Sequence, residues 1–339
     1  MKRDFVLDFV KAVAILAVVL GHISTPVGSF IFTWHMPVFF IVTGILMERQ
    51  GVSGDYVSVF SKKDFLKYGR YYLLFGTLGI LAYYVKVIFL HREVVPIVQT
   101  IVGCLIYMDM PHNIHHYGFV LWFLPAFFWA KIVTRLYLKL NVIYSKKIGI
   151  FFFGGVMILA SCLLMQYSAL NEFYVLGIAE GVICSVWMVL GTEAAYFLEY
   201  VQKRSVDKAY RLFCVNLLGV CLLYFIHIPA LNLGGYQLES FWINVIYSFA
   251  VFIFLYVLGM ICQYSHCNRI KRFFTWLSEN SIYIMAVHVY TNNIVHEIFK
   301  YVNLDSWQLN AITSYLLLFT CMFIWDRWRR ATEKVRIYK

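Results

Sequence analysis

The chain of 339 residues is 61% hydrophobic and 14% charged, with a mean hydropathy of +0.71. A soluble domain is about half apolar and a quarter charged, so this composition excludes an ordinary globular protein. The formal net charge of +11 does not indicate a nucleic-acid binder, because the basic residues cluster between long apolar runs.

Lipid admits helices and closed barrels, because every backbone polar group must be satisfied within the protein. Barrel strands alternate polar and apolar residues, whereas these runs are apolar on nearly every face, so the fold class expected is an all-α polytopic membrane protein. A span needs roughly 20 residues. Ten are read at about 5–24, 30–47, 71–90, 118–138, 148–167, 174–198, 212–230, 241–262, 274–295 and 309–328. Met1-Lys2-Arg3 ahead of the first run imitates a signal peptide, but Asp8 and Lys11 interrupt its apolar core, and the run is kept as the first span. Including span ends, 25 of the 29 Lys and Arg fall on one side of the alternating loops, most of them in Lys62/Lys63/Lys67/Arg70, Lys139/Lys146/Lys147, Lys203/Arg204/Lys208/Arg211, Arg269/Lys271/Arg272 and the basic end from Arg327. The positive-inside rule then puts both termini in the cytoplasm and the protein in the cytoplasmic (inner) cell membrane. The apolar stretch 96–108 is too short to cross and would invert the charge pattern if it did, so a short interfacial or re-entrant helix is expected there. Residues 1–330 read as one membrane domain and 331–339 as a basic cytoplasmic tail.

Ionisable groups inside apolar spans are costly and mark function by default. The first span carries Asp8, Lys11 and His22. Lys11 and His22 stand eleven residues apart, a rise of roughly 16 Å, on one broad helix face. A bland alternative has Lys11 snorkelling to the interface beside Asp8, which leaves His22 unexplained. Asp8 is roughly 21 Å from His22 along the helix, too far to be its triad partner, and is expected to position Lys11 or Arg70. The next span opens with Thr33-Trp34-His35-Met36-Pro37, which should put His35 at the depth of His22. Neutral imidazole exchanges protons near pH 7, so two at one depth suit general-base work; the plain alternative is an interfacial histidine bonded to a loop carbonyl.

These residues resemble the acyltransferase-3 family of membrane O-acyltransferases. The resemblance is carried by Arg3-Asp4-Phe5-Val6-Leu7-Asp8-Phe9-Val10-Lys11 with Leu20-Gly21-His22, and by Trp34-His35-Met36-Pro37-Val38-Phe39-Phe40 with Thr43-Gly44. Lys67…Arg70-Tyr71, Leu121-Trp122-Phe123-Leu124 and Glu279-Asn280-Ser281…His288 extend it. Between about 140 and 270 only the hydrophobicity matches. The resemblance implies transfer of an acyl group, commonly acetyl from acetyl-CoA, to a hydroxyl of a surface polysaccharide such as exopolysaccharide, or of a lipid-linked sugar. Acyl-CoA is then a donor substrate, and no permanently bound cofactor is expected. Its phosphates require a basic mouth, for which Arg3, Lys11, Lys67 and Arg70 are candidates with Asp8 organising them. A continuous passage from Lys11 to His22 would accommodate the pantetheine arm, with His22 as general base and His35 assisting. An acetyl-histidine intermediate is equally allowed by the chemistry.

Further candidates for the acceptor are Trp122, His288 and the intramembrane carboxylate Glu180, each of which also reads as ordinary packing. Glu279 and Asn280 read as caps of the ninth span, and Asn232-Leu233-Gly234-Gly235-Tyr236 as an acceptor-facing turn. His112, His115 and His116 have metal-like spacing without a fourth ligand, and no metal is expected. Eight cysteines without a CxxC pair read as small hydrophobes. A transporter or flippase for lipid-linked sugars competes with the enzyme, but the ionisable groups concentrate in the first two spans instead of being mirrored between halves. A non-catalytic scaffold would have no use for Lys11, His22 and His35. Partners expected are the bilayer, a second copy of the chain or glycan-assembly proteins, and no nucleic acid.

Overall fold

The computed structural model describes residues 3–51, 58–89, 91, 93–106, 119–166, 176–202, 206–225, 231, 240–264, 267–304 and 306–337. Every regular element among them is helical: α1 (Phe5–Gly21), α2 (Gly28–Phe32), α3 (His35–Arg49), α4 (Lys62–Phe89), α5 (Ile97–Leu105), α6 (Phe123–Ile143), α7 (Lys146–Gln166), α8 (Ile178–Gln202), α9 (Val206–Phe225), α10 (Phe241–Tyr264), α11 (Asn268–Glu279), α12 (Ser281–Tyr301) and α13 (Trp307–Ile337). A 3-10 turn, Phe119–Trp122, leads into α6. Each of the ten apolar runs falls on a helix in its described part. Six helical stretches are long and apolar enough to cross a membrane: Gly28–Arg49, Lys62–Phe89, Val120–Ile143, Ile178–Gln202, Phe241–Tyr264 and Trp307–Trp328. The expected short helix is α5, nine residues long and unable to cross.

Several boundaries differ from the sequence expectation, and three of the differences have a local reason. The chain from 28 to 49 is broken after Phe32, where the Thr33 hydroxyl bonds back to the Phe30 carbonyl at 2.6 Å and His35 starts a new helix. α4 begins at Lys62 instead of 71, because its charged first turn finds partners on α6. The run 274–295 is two helices jointed at Asn280, whose Nδ2 donates to the Trp276 carbonyl at 2.9 Å. Asn280 therefore closes α11 and gives α12 no side-chain cap, and Glu279 pairs with Arg3.

α1 is the buried centre of the bundle. Val10, Ala12, Ala14, Ile15, Val18 and Val19 are fully covered, with α2, α3, α10, α11 and α12 packed around them. Lipid tails are as apolar as leucine, so helices here are held by close packing and not by the hydrophobic effect. Glycine supplies the closeness between α3 and α8. A Cβ on Gly44 would stand 1.9 Å from the Met188 carbonyl oxygen, and one on Gly191 2.2 Å from that of Ile41. On the periphery, α4 turns Leu73, Leu78, Leu81, Val85 and Phe89 outward, an exposed aliphatic face suited to acyl chains and not to water.

Candidate active site

Asp4 starts α1 by accepting the Val6 and Leu7 backbone N–H groups, which orients the following turn. One turn on, Asp8 is buried and acts as a hub. It accepts the Ser278 hydroxyl at 2.6 Å, lies 3.3 Å from the Lys11 ammonium at i,i+3, and is paired with Arg3. Arg3 also pairs with Glu279 and donates to the Thr275 carbonyl at 3.3 Å, tying the start of α1 to the end of α11. Beside this hub Arg49 pairs with Asp4 and reaches the Tyr256 hydroxyl. Arg3, Asp4, Asp8, Lys11 and Arg49 line a cavity of about 1160 Å³ between α1, α3, α8, α10 and α11, together with Glu199 and Lys271. Arg3, Lys11, Arg49 and Lys271 are largely offset there by Asp4, Asp8 and Glu199, so this mouth is less basic than the sequence suggested.

The unbalanced positive charge lies beside it. Lys67, on exposed surface of α4, places its ammonium 5.6 Å from the Tyr68 ring, and Lys131 of α6 sits 5.5 Å from the same ring. Lys131 is 3.2 Å from Asp64, which also pairs with Arg135. Two cations thus share the Asp64 carboxylate, with Lys67 close by, and the buried Arg135 Nη1 has no hydrogen-bond partner. Lys67 is within electrostatic reach of both Lys131 and Lys11. Arg70 is exposed on α4 and takes no part in the lining of the large cavity. Lys131 and Arg135 were overlooked in the sequence, although an i,i+4 cation pair inside an apolar run is itself a signal.

At the other end of α1, His22 is the C-terminal cap, its backbone N–H donating to the Val18 carbonyl at 3.3 Å. Its ring meets Phe32 edge-on at 5.4 Å and His288 of α12 at 5.0 Å, between ring centroids. Phe32 in turn stands edge-on to His35 at 5.1 Å. The imidazole beside His22 is therefore His288, with His35 one aromatic ring further on. All three remain within electrostatic reach of one another.

The His35 Nδ1 is 2.7 Å from the Ile31 carbonyl, and that of His288 is 2.8 Å from Met285 and 3.1 Å from Ile284. A carbonyl can only accept, so both rings carry a proton on Nδ1 and keep Nε2 as an acceptor. The His288 Nε2 is buried without a hydrogen-bond partner. The ordinary reading of a carbonyl-bonded histidine thus holds for the Nδ1 of each ring, and at His288 it leaves Nε2 available.

His22 also lines a second cavity, of about 260 Å³, between the end of α1 and the facing polar sides of α12 and α13. The two cavities share no lining residue. Ile15 and Val18, on the face of α1 between Lys11 and His22, are fully covered, so the continuous passage expected from the sequence is closed here by packing. Trp122 is buried against Phe123, and Glu180 is buried in the first turn of α8; both line neither cavity. The His112–His116 and Asn232–Tyr236 segments lie outside the described residues, and no metal-binding group of side chains occurs among those described.

The bundle buries ionic groups near one end of its central helix and imidazoles at the other, the kind of intramembrane placement that marks a candidate functional site. Residues 5–325, nearly the whole chain, match the family model described as an acyltransferase domain. The chain belongs to this family, acyltransferase-3, and is a multi-pass membrane acyltransferase. No curated protein and no solved structure matches it.

Proposed function

We propose that the protein is an O-acyltransferase. It moves a short acyl group, acetyl in the first instance, from acyl-CoA to a hydroxyl of a surface polysaccharide or lipid-linked sugar. The observation that carries this reading is the arrangement along α1: cations at Arg3, Lys11 and Lys67 near its start, and His22 in a cavity wall at its end. The shorter helices α1, α7, α9 and α12 also cross the membrane, both termini face the cytoplasm, and the membrane is the cytoplasmic one. That orientation gives the soluble, polyanionic donor access to the basic end.

Lys67, Lys131 and Arg135 hold the donor phosphates, Arg135 offering its unused N–H, while Lys11 draws the thioester toward α1. The roughly 16 Å rise from Lys11 to His22 is spanned by the extended pantetheine arm once side chains about Ile15 and Val18 part. His22 then removes the acceptor hydroxyl's proton as that oxygen attacks the thioester carbonyl. The carbon–sulfur bond breaks as the tetrahedral intermediate collapses, and the proton held by His22 passes to the departing thiolate, which returns His22 to its neutral form. His288 is a positioning residue, its acceptor Nε2 favouring the imidazolium that forms beside it.

Mass spectrometry of surface glycans from cells carrying His22→Ala protein tests the reading. The variant should reach wild-type levels in the membrane and leave glycan acylation reduced by about 10²–10⁴-fold, the range for losing a general base. Wild-type acylation in His22→Ala cells would refute the assignment.

A further inference from the structure

Three oxygens around the 260 Å³ cavity remain unexplained by any packing role. Asn292 spends its Nδ2 on the Val19 carbonyl of α1 at 3.0 Å, and its Oδ1 is left buried without a partner. The Asn310 Oδ1 and the Ser314 Oγ are likewise buried and unpartnered. An unmet buried polar atom is destabilising, more so than a stray residue in a transmembrane helix should bear. The three residues come from facing helices and line the same cavity as His22. On α12, Asn292, Asn293 and His296 follow helical spacing, and on α13 so do Trp307, Asn310 and Ser314. Two polar stripes therefore face each other across one small space, with a half-exposed indole at its edge.

From this we infer that the cavity is the acceptor site, and that it takes a single neutral sugar ring by its hydroxyl groups. The inference rests on the acyl-transfer reading and adds to it where the acceptor sits and which chemistry selects it. Amide oxygens only accept hydrogen bonds, so Asn292 and Asn310 call for a ligand that donates several. A ring of hydroxyls does so and can also accept from the amide and hydroxyl donors of the same lining, whereas an ionised phosphate or carboxylate cannot donate to the unpartnered oxygens. The cavity volume falls just under the roughly 300–1,000 Å³ of drug-sized pockets, which suits one ring and not an oligosaccharide. Trp307 provides a flat apolar surface for the C–H face of that ring. One hydroxyl not engaged by the asparagines is then left for His22, which fixes the position that is acylated.

The test uses full-length protein in nanodiscs, acetyl-CoA labelled in the acetyl group, and as acceptor probe the membrane glycan and lipid extract of cells lacking this protein. Asn310→Leu should lower transfer of label to the extract by roughly tenfold or more, the worth of one good hydrogen bond and the polar atom it leaves. Asn310→Asp keeps an accepting oxygen in the same place and should stay within about threefold of wild type. Leu316→Ala, on the lipid-facing side of α13, serves as the control for helix packing. If Asn310→Leu does not accumulate, Ser314→Ala carries the same expectation with almost no change in volume. Full transfer by the Asn310→Leu or Ser314→Ala protein overturns the site. A loss in Asn310→Asp as deep as in Asn310→Leu overturns the neutral hydroxyl ligand, because an anionic acceptor would be repelled by the carboxylate. Transfer abolished by His22→Ala but untouched in both cavity variants removes this site and leaves the acyl-transfer reading standing. Label transfer undiminished by His22→Ala strikes the reading itself.

Discussion

His22 is exposed to the 260 Å³ cavity because α1 ends there, whereas His288 is fully covered and spends its Nδ1 on the preceding turn of its own helix. That difference separates a group that meets substrate from one that supports it. His288→Asn should therefore lower kcat by about tenfold, leave the KM for acetyl-CoA unchanged, and displace the pH profile of kcat, a readout that a purely structural role would not move. At the donor end, Arg135→Ala should raise the KM for acetyl-CoA by roughly tenfold or more, the value of a charge-assisted hydrogen bond to phosphate, with kcat nearly unaffected. Arg135→Lys should recover part of that loss, since it keeps the charge and forfeits the planar fork. The Lys11/His22 spacing was legible in the sequence because it is set within a single helix. The His22–His288 contact was not, because it depends on how α12 leans on α1. His35 was expected at the depth of His22 and assisting it, and the Phe32 ring stands in contact with both.

Among the elements, α3 and α8 form the tightest joint, with Gly44 and Gly191 each set against a carbonyl of the other helix. Gly44→Ala cannot be accommodated by a rotamer change, because the obstacle is backbone. It should cost about 1–3 kcal/mol and appear as a lower melting temperature of the purified protein in detergent. The sequence marked Gly44 through its family resemblance, while its partner Gly191 gave no such sign, since nothing in a single chain says which helices touch. The Asn280 joint was misread for a similar reason. An asparagine followed by a helix suggests an N-cap, and only the bond to Trp276 shows that it serves the helix before it. The basic pair Lys131 and Arg135 lay in plain sight, but the reading of the fourth span attended to its aromatic residues.

For the whole molecule, two cavities open at opposite ends of one buried helix, and transfer requires that they communicate when the donor binds. The account needs acyl-CoA at the Lys11 end, acceptor at the His22 end, and His22 as the only place where they meet. Sealed inside-out membrane vesicles test this most directly, with labelled acetyl-CoA supplied to the cytoplasmic face alone. Wild-type vesicles should place label on hydroxyl groups of glycan in the lumen, and His22→Ala vesicles should leave both donor and glycan unchanged. Lumenal glycan labelled equally by both, or labelled only when acetyl-CoA is admitted to the lumen, would contradict the account.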